Sequence, residues 1–226
     1  MKTIGFYKKI FFLSLFLATL LLAENQNHFS DKFLDTPYEA NTLIGSFNTE
    51  EKLVVRTDTF DCFTFIDMIE ASKSHKPIED AIKTIRYNNS QVKYTNRNHF
   101  FSDWTVYNPH IQDVTCQIGI CHKTLKNLNQ KSKNEVYLQG IAIIQREIYY
   151  TKAENLDYTK LQNGDYIGIY TPKNGLDVTH VGIAIKKENI WYLRHASSKE
   201  KKVIDSNLKE YIKNKDGIII YRSDMK

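Results

Sequence analysis

The carboxyl-terminal third of this 226-residue chain constrains the fold most, because it contains short β-branched and aromatic runs separated by turn residues. Such runs are typical of half-buried strands. They lie at residues 165–170, 179–186, 190–195 and 217–221, with a short helix or turn expected at 207–213. The pattern predicts consecutive antiparallel strands in this part of the chain.

Helical patterns precede these runs. Apolar residues recur three and four positions apart in Asp61–Ser72, and Asp61 is suited to cap the amino end. A second helix is predicted at Pro77–Tyr87, and most of Glu135–Tyr150 is also predicted as helix. A short strand is expected at Lys52–Arg56. Helices followed by an antiparallel sheet predict an α+β domain.

The amino terminus has the layout of a secretory signal peptide. Three lysines precede an apolar run at residues 10–22, and Ala23 is a plausible cleavage point. The run is short for a membrane span, which needs about 20 residues, although an uncleaved anchor is the alternative. We therefore expect a signal peptide at 1–23, a single catalytic domain at 24–226, and export to the periplasm or cell envelope.

The charge balance gives no indication of a nucleic-acid partner. Removal of the leader takes three of the 31 Lys and Arg residues and none of the 26 Asp and Glu residues, so the formal net charge falls from +5 to +2. Cys116, Cys121 and His122 are close in sequence but lack a fourth ligand at a spacing suited to zinc. We expect a monomer that requires no metal and no cofactor.

The three cysteines are informative in an exported protein, because one of them must remain unpaired. Cys116 and Cys121 are close in sequence, with Gly119 between them to allow a turn, and could form a disulfide in an oxidising compartment. Cys62 would then be a free thiol. The alternative, with all three cysteines reduced and buried, stays open on the sequence alone.

Cys62 and two distant histidines form a candidate catalytic set. Cys62 lies at the start of a predicted helix, where backbone N–H groups and the helix dipole favour a thiolate. His180 and His195 lie on predicted neighbouring strands, and a two-residue turn at Lys187–Glu188 would place them directly opposite each other. The face that they share contains Gly182 and Ala184, whose small side chains would allow the helix of Cys62 to pack closely.

A second candidate region is the aromatic stretch Asn98–Trp104. Its embedded Ser102 and Asp103, together with Trp104, are suited to a wall that binds sugar or peptide. A small core beneath a long loop is an equal alternative. Asp177, just before the strand of His180, could orient a substrate or cap a turn.

Five sequence blocks resemble a bacterial family of N-acetylmuramoyl-L-alanine amidase-like cysteine hydrolases, which is related to the papain-like NlpC cell-wall hydrolases. The blocks occur in the family's order and extend over most of the chain after the leader. They are Phe60–Phe65, Phe101–Trp104, Asn163–Ile167, Gly175–Gly182 and Arg194–Ser198.

The resemblance implies a papain-like core in which a helix with the nucleophile packs on an antiparallel sheet with the base. By position, it implies that Cys62 is the nucleophile, His180 the base and His195 the residue that orients it, with Ser102–Trp104 near the cleft. The expected substrate is peptidoglycan or a muropeptide, and the favoured bond is the amide between N-acetylmuramic acid and L-alanine. A stem-peptide endopeptidase and a non-catalytic wall-binding protein are the alternatives.

Overall fold

The computed structural model describes residues 29–225. The chain divides into a unit of residues 1–32 and a unit of residues 33–226. The described part of the first unit forms most of a 3-10 helix, Phe29–Phe33. The signal peptide predicted at 1–23 lies outside the described residues. Among residues 29–225, no helix is long and apolar enough to cross a membrane.

The second unit contains five α-helices within its described residues. The predicted helices at 61–72, 77–87 and 207–213 are confirmed within one or two residues at each end, because caps and apolar stripes are local signals. The helices are α1 (Cys62–Ala71), α2 (Ile78–Arg86), α3 (Asp103–Tyr107), α4 (Thr115–Ile118) and α5 (Leu208–Ile212).

The described residues also form ten strands and two further 3-10 helices, Asn88–Ser90 and Tyr94–Asn96. The strands are β1 (Ile44–Ser46), β2 (Thr49–Lys52), β3 (Ile111–Asp113), β4 (Gly119–Leu128), β5 (Ile144–Leu156), β6 (Tyr166–Tyr170), β7 (Val178–Lys187), β8 (Ile190–Ser197), β9 (Lys202–Asn207) and β10 (Ile218–Ser223). β1 and β2 form a two-stranded ribbon. The others form an antiparallel eight-stranded sheet in the order β4-β5-β10-β6-β7-β8-β9, with β3 added to β10. The α+β prediction is confirmed.

Two local predictions are wrong. The segment at 135–150 is not a helix, because β5 begins at Ile144 and pairs with β4 along a long ribbon. Pairing with β4, which the sequence did not reveal, satisfies the β5 backbone groups and overrides the helical periodicity. The strand expected at Lys52–Arg56 lies earlier in the chain, at Thr49–Lys52.

The last strand also differs from the expected consecutive order. β10 lies between β5 and β6, and the edge beside β8 is occupied by β9. After β9, the chain forms α5 and then returns to pair Ile218 with Ile169 and Tyr221 with Tyr166. β6, β7 and β8 are consecutive as predicted, and they carry the two histidines.

α1 is fixed at both ends by polar contacts. Asp61 accepts the Thr64 N–H at 2.8 Å, and Thr64 Oγ1 accepts the Asp61 N–H at 2.9 Å, so that a capping box starts the helix at Cys62. Near the other end, the buried carboxylate of Glu70 accepts the hydroxyls of Tyr166 and Ser223 at 2.5 Å each. These bonds attach α1 to β6 and β10 and set the position of its first residue.

A buried ion pair holds α1 against α2. Arg86 Nε donates to Asp67 Oδ2 at 2.7 Å, and Arg86 Nη1 donates to the Val54 carbonyl at 2.6 Å. Because both side chains are almost fully buried, loss of either partner would leave an uncompensated charge in the core. The pair therefore fixes the helix that carries Cys62 against its neighbours.

Candidate active site

Cys62 is the first residue of α1 and the free cysteine among the described residues, with its side chain partly exposed. Burial raises the pKa of its thiol to about 12, and the charge of Asp61 adds to this effect. The backbone N–H groups of Val181, Cys62 and Phe63 act in the opposite direction and lower this pKa. The resting group is therefore a neutral thiol that is surrounded by donors able to stabilise negative charge.

His180 and His195 are in direct contact. Nε2 of His180 lies 2.7 Å from Nδ1 of His195, and the rings are nearly perpendicular, at 87°. Nε2 of His195 lies 3.1 Å from Ser206 Oγ. If each Nε2 carries a proton, His180 donates to His195 and His195 donates to Ser206. This arrangement leaves the Nδ1 lone pair of His180 available as a base.

Both imidazoles are uncharged at neutral pH. Burial, followed by the electrostatic effects of His195 and Lys215, lowers the pKa of His180 to about 3. Burial also lowers the pKa of His195 to about 4, against the opposing effect of Asp205. Neutral imidazoles can accept a proton, so the pair is in the protonation state that a general base requires.

The β7–β8 register differs by two residues from the prediction. Ile183 pairs with Arg194 and Lys187 with Ile190, so the turn is Glu188–Asn189 and His195 lies opposite Gly182. The prediction that His180 and His195 lie directly opposite each other is therefore wrong. A shift of two residues preserves the face of each side chain, and the rings consequently meet along a diagonal.

The packing of α1 on the sheet is also different from the expectation. Val181, Ile183 and Ile185 belong to the apolar cluster that contains α1. Ala184, on the face of His180 and Gly182, belongs instead to the cluster that contains α5. The body of α1 therefore packs on the opposite face of β7. At the amino end of α1, the Val181 N–H of β7 acts on the Cys62 thiol.

The structure brings Cys62 near the histidine pair without a direct bond. Within residues 29–225, the Cys62 sulfur makes no hydrogen bond to either imidazole. Tyr211 of α5 is a neighbour of both histidines. Its ring centroid lies 5.0 Å from that of His195 and 6.2 Å from that of His180. Burial, and then the charge of Cys62, raises the pKa of Tyr211. Proton transfer from Cys62 thus requires a closer approach than this resting state shows.

Three residues near this site were absent from the sequence reasoning. Ser206 lies on β9, a strand that the sequence did not reveal, and Tyr211 lies on the short helix α5. Tyr38 lies in the amino-terminal arm, where a bridge pairs it with Phe60, two residues before Cys62. Burial, then the charges of Cys62 and Asp61, raises the pKa of Tyr38. Only long-range pairing places these residues, and no local motif signals them.

Ser102, Asp103 and Asp177 form a buried polar chain. Asp177 Oδ2 accepts the Ser102 N–H at 2.8 Å. Arg146 Nη1 donates to Ser102 Oγ at 2.9 Å and to Asp103 Oδ1 at 2.7 Å. Burial raises the pKa of Asp177, against the hydrogen bonds from Ser102 and Val178. Asp177 thus holds Ser102, and Ser102 and Asp103 together hold Arg146. The predicted role of Ser102, Asp103 and Asp177 in substrate binding stays a prediction.

Trp104 has the surroundings of a core residue. Its side chain has 0% of its surface exposed, and its ring packs edge-on against Tyr166 with centroids 5.0 Å apart. Phe101 lies beside it at 6.2 Å. In this conformation Trp104 would support a binding wall from behind, and its predicted contact with substrate stays a prediction.

Cys116 and Cys121 are joined by a disulfide. Of the two alternatives left open by the sequence, the structure contains the paired form, with Cys62 free. In residues 29–225, no group of three or more His, Cys, Asp or Glu side chains could hold a metal ion.

Solved structures with the same fold come from several bacteria. An N-acetylmuramoyl-L-alanine amidase from Bacteroides uniformis is 28% identical with a TM-score of 0.71, covering 86% of this chain and 95% of that chain. A putative xylanase from Bacteroides fragilis is 27% identical with a TM-score of 0.68, covering 85% and 98%. A Legionella pneumophila protein, 24% identical with a TM-score of 0.71 and 86% of each chain covered, supports the fold alone.

Comparison with family models gives a match over most of the chain. No curated protein matches. The model described as AmiA-like, N-acetylmuramoyl-L-alanine amidase-like, matches residues 28–218. This range includes all five sequence blocks and the histidine pair. The chain therefore belongs to the N-acetylmuramoyl-L-alanine amidase-like family.

Proposed function

We propose that the protein is an exported cysteine amidase that hydrolyses the amide between N-acetylmuramic acid and L-alanine in peptidoglycan or muropeptides. Family membership supports an amide hydrolase with a peptidoglycan-type substrate. The observation that carries the cysteine mechanism is the 2.7 Å contact between His180 and His195, next to a free cysteine at a helix amino terminus. The proposed core is papain-like, with α1 and the β7–β8 hairpin as its two halves.

The hydrogen-bond chain supports a separate role for each histidine in this proposal. Because His180 Nε2 is engaged by His195, Nδ1 is the nitrogen left to take the proton of Cys62. His195 holds the tautomer and ring plane of His180, and Ser206 does the same for His195. The imidazolium that forms on His180 then returns its proton to the leaving amine.

The reaction proceeds through a thioester. The Cys62 sulfur attacks the amide carbonyl as its proton moves to His180, and the carbonyl oxygen becomes an oxyanion. N–H groups at the amino end of α1 stabilise that charge, since such donors are worth about 3–4 kcal/mol each in related sites. The amine leaves with the proton from His180. Water, deprotonated by the same imidazole, then releases the muramoyl acid and regenerates the thiol.

The resting protonation states indicate when activation occurs. With a thiol pKa raised to about 12 and an imidazole pKa lowered to about 3, the neutral pair is favoured before substrate binds. Sulfur and imidazole are also not yet in hydrogen-bond contact, a common feature of substrate-free sites. Proton transfer is therefore coupled to attack on the bound carbonyl, and a standing thiolate is not expected.

Export rests on two features of the chain. The leader pattern at residues 1–23 is typical of a secretory signal. The disulfide between Cys116 and Cys121 is of a kind that persists in oxidising compartments. Both agree with a periplasmic or envelope location, where peptidoglycan is accessible.

Incubation with defined muropeptides, followed by mass spectrometry, tests the proposal. The expected products are the intact stem peptide and the free muramoyl sugar. Cys62→Ser and His180→Gln should each abolish turnover. His99→Gln is the matched control, because His99 is a partly buried histidine whose Nε2 contacts the Tyr94 carbonyl at 2.8 Å outside the site. This control should retain turnover.

The product masses separate the alternatives. Cleavage within the stem peptide would identify an endopeptidase of the same fold. Binding of muropeptide without turnover by the unmodified chain would identify a wall-binding protein. Xylan is included as a second test substrate because the similar Bacteroides fragilis structure is that of a putative xylanase. Hydrolysis of xylan would refute the proposal that this protein is an amidase. Turnover that survives Cys62→Ser would refute the nucleophile assignment.

A further inference from the structure

A cavity of about 380 Å³ lies beside the polar chain that holds Arg146. Its walls come from α3, from β5, and from the paired strands β3 and β10. Ser102, Arg146, Asp113 and Tyr221 are among the residues that line it. The mechanism described above uses none of these side chains. The sequence predicts Ser102 as a substrate contact, and Ser102 helps to hold Arg146 at this cavity.

Arg146 retains unused donors at this cavity. Its Nη1 carries both hydrogen bonds to Ser102 and Asp103. Within the described part of the chain, Nη2 and Nε make none. The guanidinium is therefore held rigidly along one edge, while other N–H groups stay available. A fixed guanidinium with free donors is well suited to bind a carboxylate.

Asp113 contributes the opposite charge. One of its carboxylate oxygens accepts the Thr115 N–H at 2.9 Å, and among residues 29–225 no Lys, Arg or His forms an ion pair with it. Glu147, the other lining carboxylate, is already paired with Lys123 at 2.5 Å. The cavity thus contains one carboxylate without a cation partner.

Tyr221 lines the cavity together with both of these groups. Asp113 is its register partner between β3 and β10, a separation of about 5 Å between β-carbons. The charges of Asp113 and Arg146 both act on the Tyr221 hydroxyl, where Asp113 raises its pKa and Arg146 lowers it. A carboxylate that forms no ion pair within residues 29–225 and a guanidinium with free donors therefore line one small cavity.

We propose that this cavity binds the zwitterionic head group of an α-amino acid, with the ammonium at Asp113 and the carboxylate at Arg146. This assignment rests on the proposed function when it is applied to a substrate. In that case the ligand is the side-chain end of a diaminopimelate residue, where an amine and a carboxylate are bonded to the same carbon. A lysine side chain has the amine alone.

The position of the cavity relative to Cys62 agrees with this ligand. Phe63, next to the nucleophile, packs on Phe101 with centroids 6.5 Å apart, and Phe101 stacks on Tyr221 at 4.3 Å. An extended stem of three residues spans about 10 Å, which is similar to the length of this aromatic row. Phe101 and Tyr221 are buried, so this row gives the separation of the two regions through the core. A stem peptide that follows the surface must be at least this long to place a later side chain in the cavity.

Binding of two stem peptides to the Cys62→Ser chain tests the assignment. The peptides differ only in having diaminopimelate or lysine at one position, and isothermal titration measures each affinity without turnover. We expect the diaminopimelate peptide to bind at least tenfold more tightly. Arg146→Lys should reduce this preference to within about twofold, because lysine keeps the charge beside Asp103 and lacks the planar fork. Equal binding to the unmodified cavity would overturn the proposal.

Further variants separate the ammonium contact and the possible failures. Asp113→Asn should weaken both peptides about tenfold, whereas Glu147→Gln, the matched control already paired with Lys123, should leave both unchanged. A preference that persists in Arg146→Lys, or a peptide-free muramoyl sugar that competes for the cavity, would refute the assignment. The amidase proposal is judged separately, from turnover of the unmodified enzyme, so either proposal can fail alone.

Discussion

Gly182 of β7 lies against the β8 residues Leu193, Arg194 and His195, and Gly182→Ala is a direct test of the histidine geometry. A β-carbon at this position would lie 2.6 Å from the Arg194 carbonyl oxygen, 2.8 Å from Leu193 Cδ1 and 3.0 Å from His195 Cβ. The leucine can rotate away, whereas the carbonyl belongs to the strand backbone. The substitution therefore forces β8 to move away from β7 by several tenths of an ångström.

The expected effects follow from that displacement. Overpacking of this kind costs about 1–3 kcal/mol, and each kcal/mol lowers the melting temperature by about 2–4 °C in a domain of this size. The same movement lengthens the 2.7 Å contact between His180 and His195. Since misplacement of a catalytic group by about 1 Å can cost 100-fold in rate, a smaller shift should lower kcat about tenfold.

Steady-state kinetics on a muropeptide and thermal unfolding measure the two effects together. Ala184→Gly is the matched control, because Ala184 lies two residues further along the same face of β7 and is fully buried. It should lower stability by about 1 kcal/mol through lost packing and added backbone entropy, with kcat unchanged. If Gly182→Ala and Ala184→Gly lose equal stability and both keep full kcat, the proposed role of the histidine contact is wrong.

Three further predictions concern pH and redox state. Because the pKa values of His180 and His195 are lowered to about 3 and about 4, kcat/KM should persist on acidification to about pH 5 and fall only near pH 4; a decline centred near pH 6.5 would contradict these values. The histidines of the unfolded chain take up protons first, so the contribution of His180 and His195 to the free energy of unfolding should fall as pH drops below 6.5 and be lost by about pH 3. Urea unfolding of the unmodified chain and of His195→Gln measures this contribution, and the variant should show a smaller fall. Reduction of the disulfide, which closes a loop with a sequence separation of 5, should lower stability by about 2 kcal/mol; a Cys116→Ser, Cys121→Ser double variant should show the same loss and no further response to reductant.

Local signals in the sequence were sufficient for the elements that carry the site. Asp61 and Thr64 form the capping box that begins α1 at Cys62. Strand alternation placed His180 and His195 on one face, because the side-chain period of a strand is two. That conclusion held even though the register was wrong by two residues.

Long-range pairing decided what local patterns could not. Part of the segment at 135–150 forms strand β5 in place of the predicted helix, because β4 supplies a partner for β5. The same kind of pairing brings β9, and with it Ser206, beside His195, and it places β10 between β5 and β6. No window of sequence contains both members of such a pair.

The sequence by itself determined where the proposed nucleophile and the two histidines lie in their helix and strands, because a capped helix start and period-two strands are encoded within a few neighbouring residues. Only the tertiary structure decided which groups surround them: α1 on the opposite face of β7, Tyr211 beside the imidazoles, and Arg146 held by Ser102 and Asp103. These contacts join segments far apart in the chain, and they form only when packing and backbone pairing are satisfied across the whole sheet.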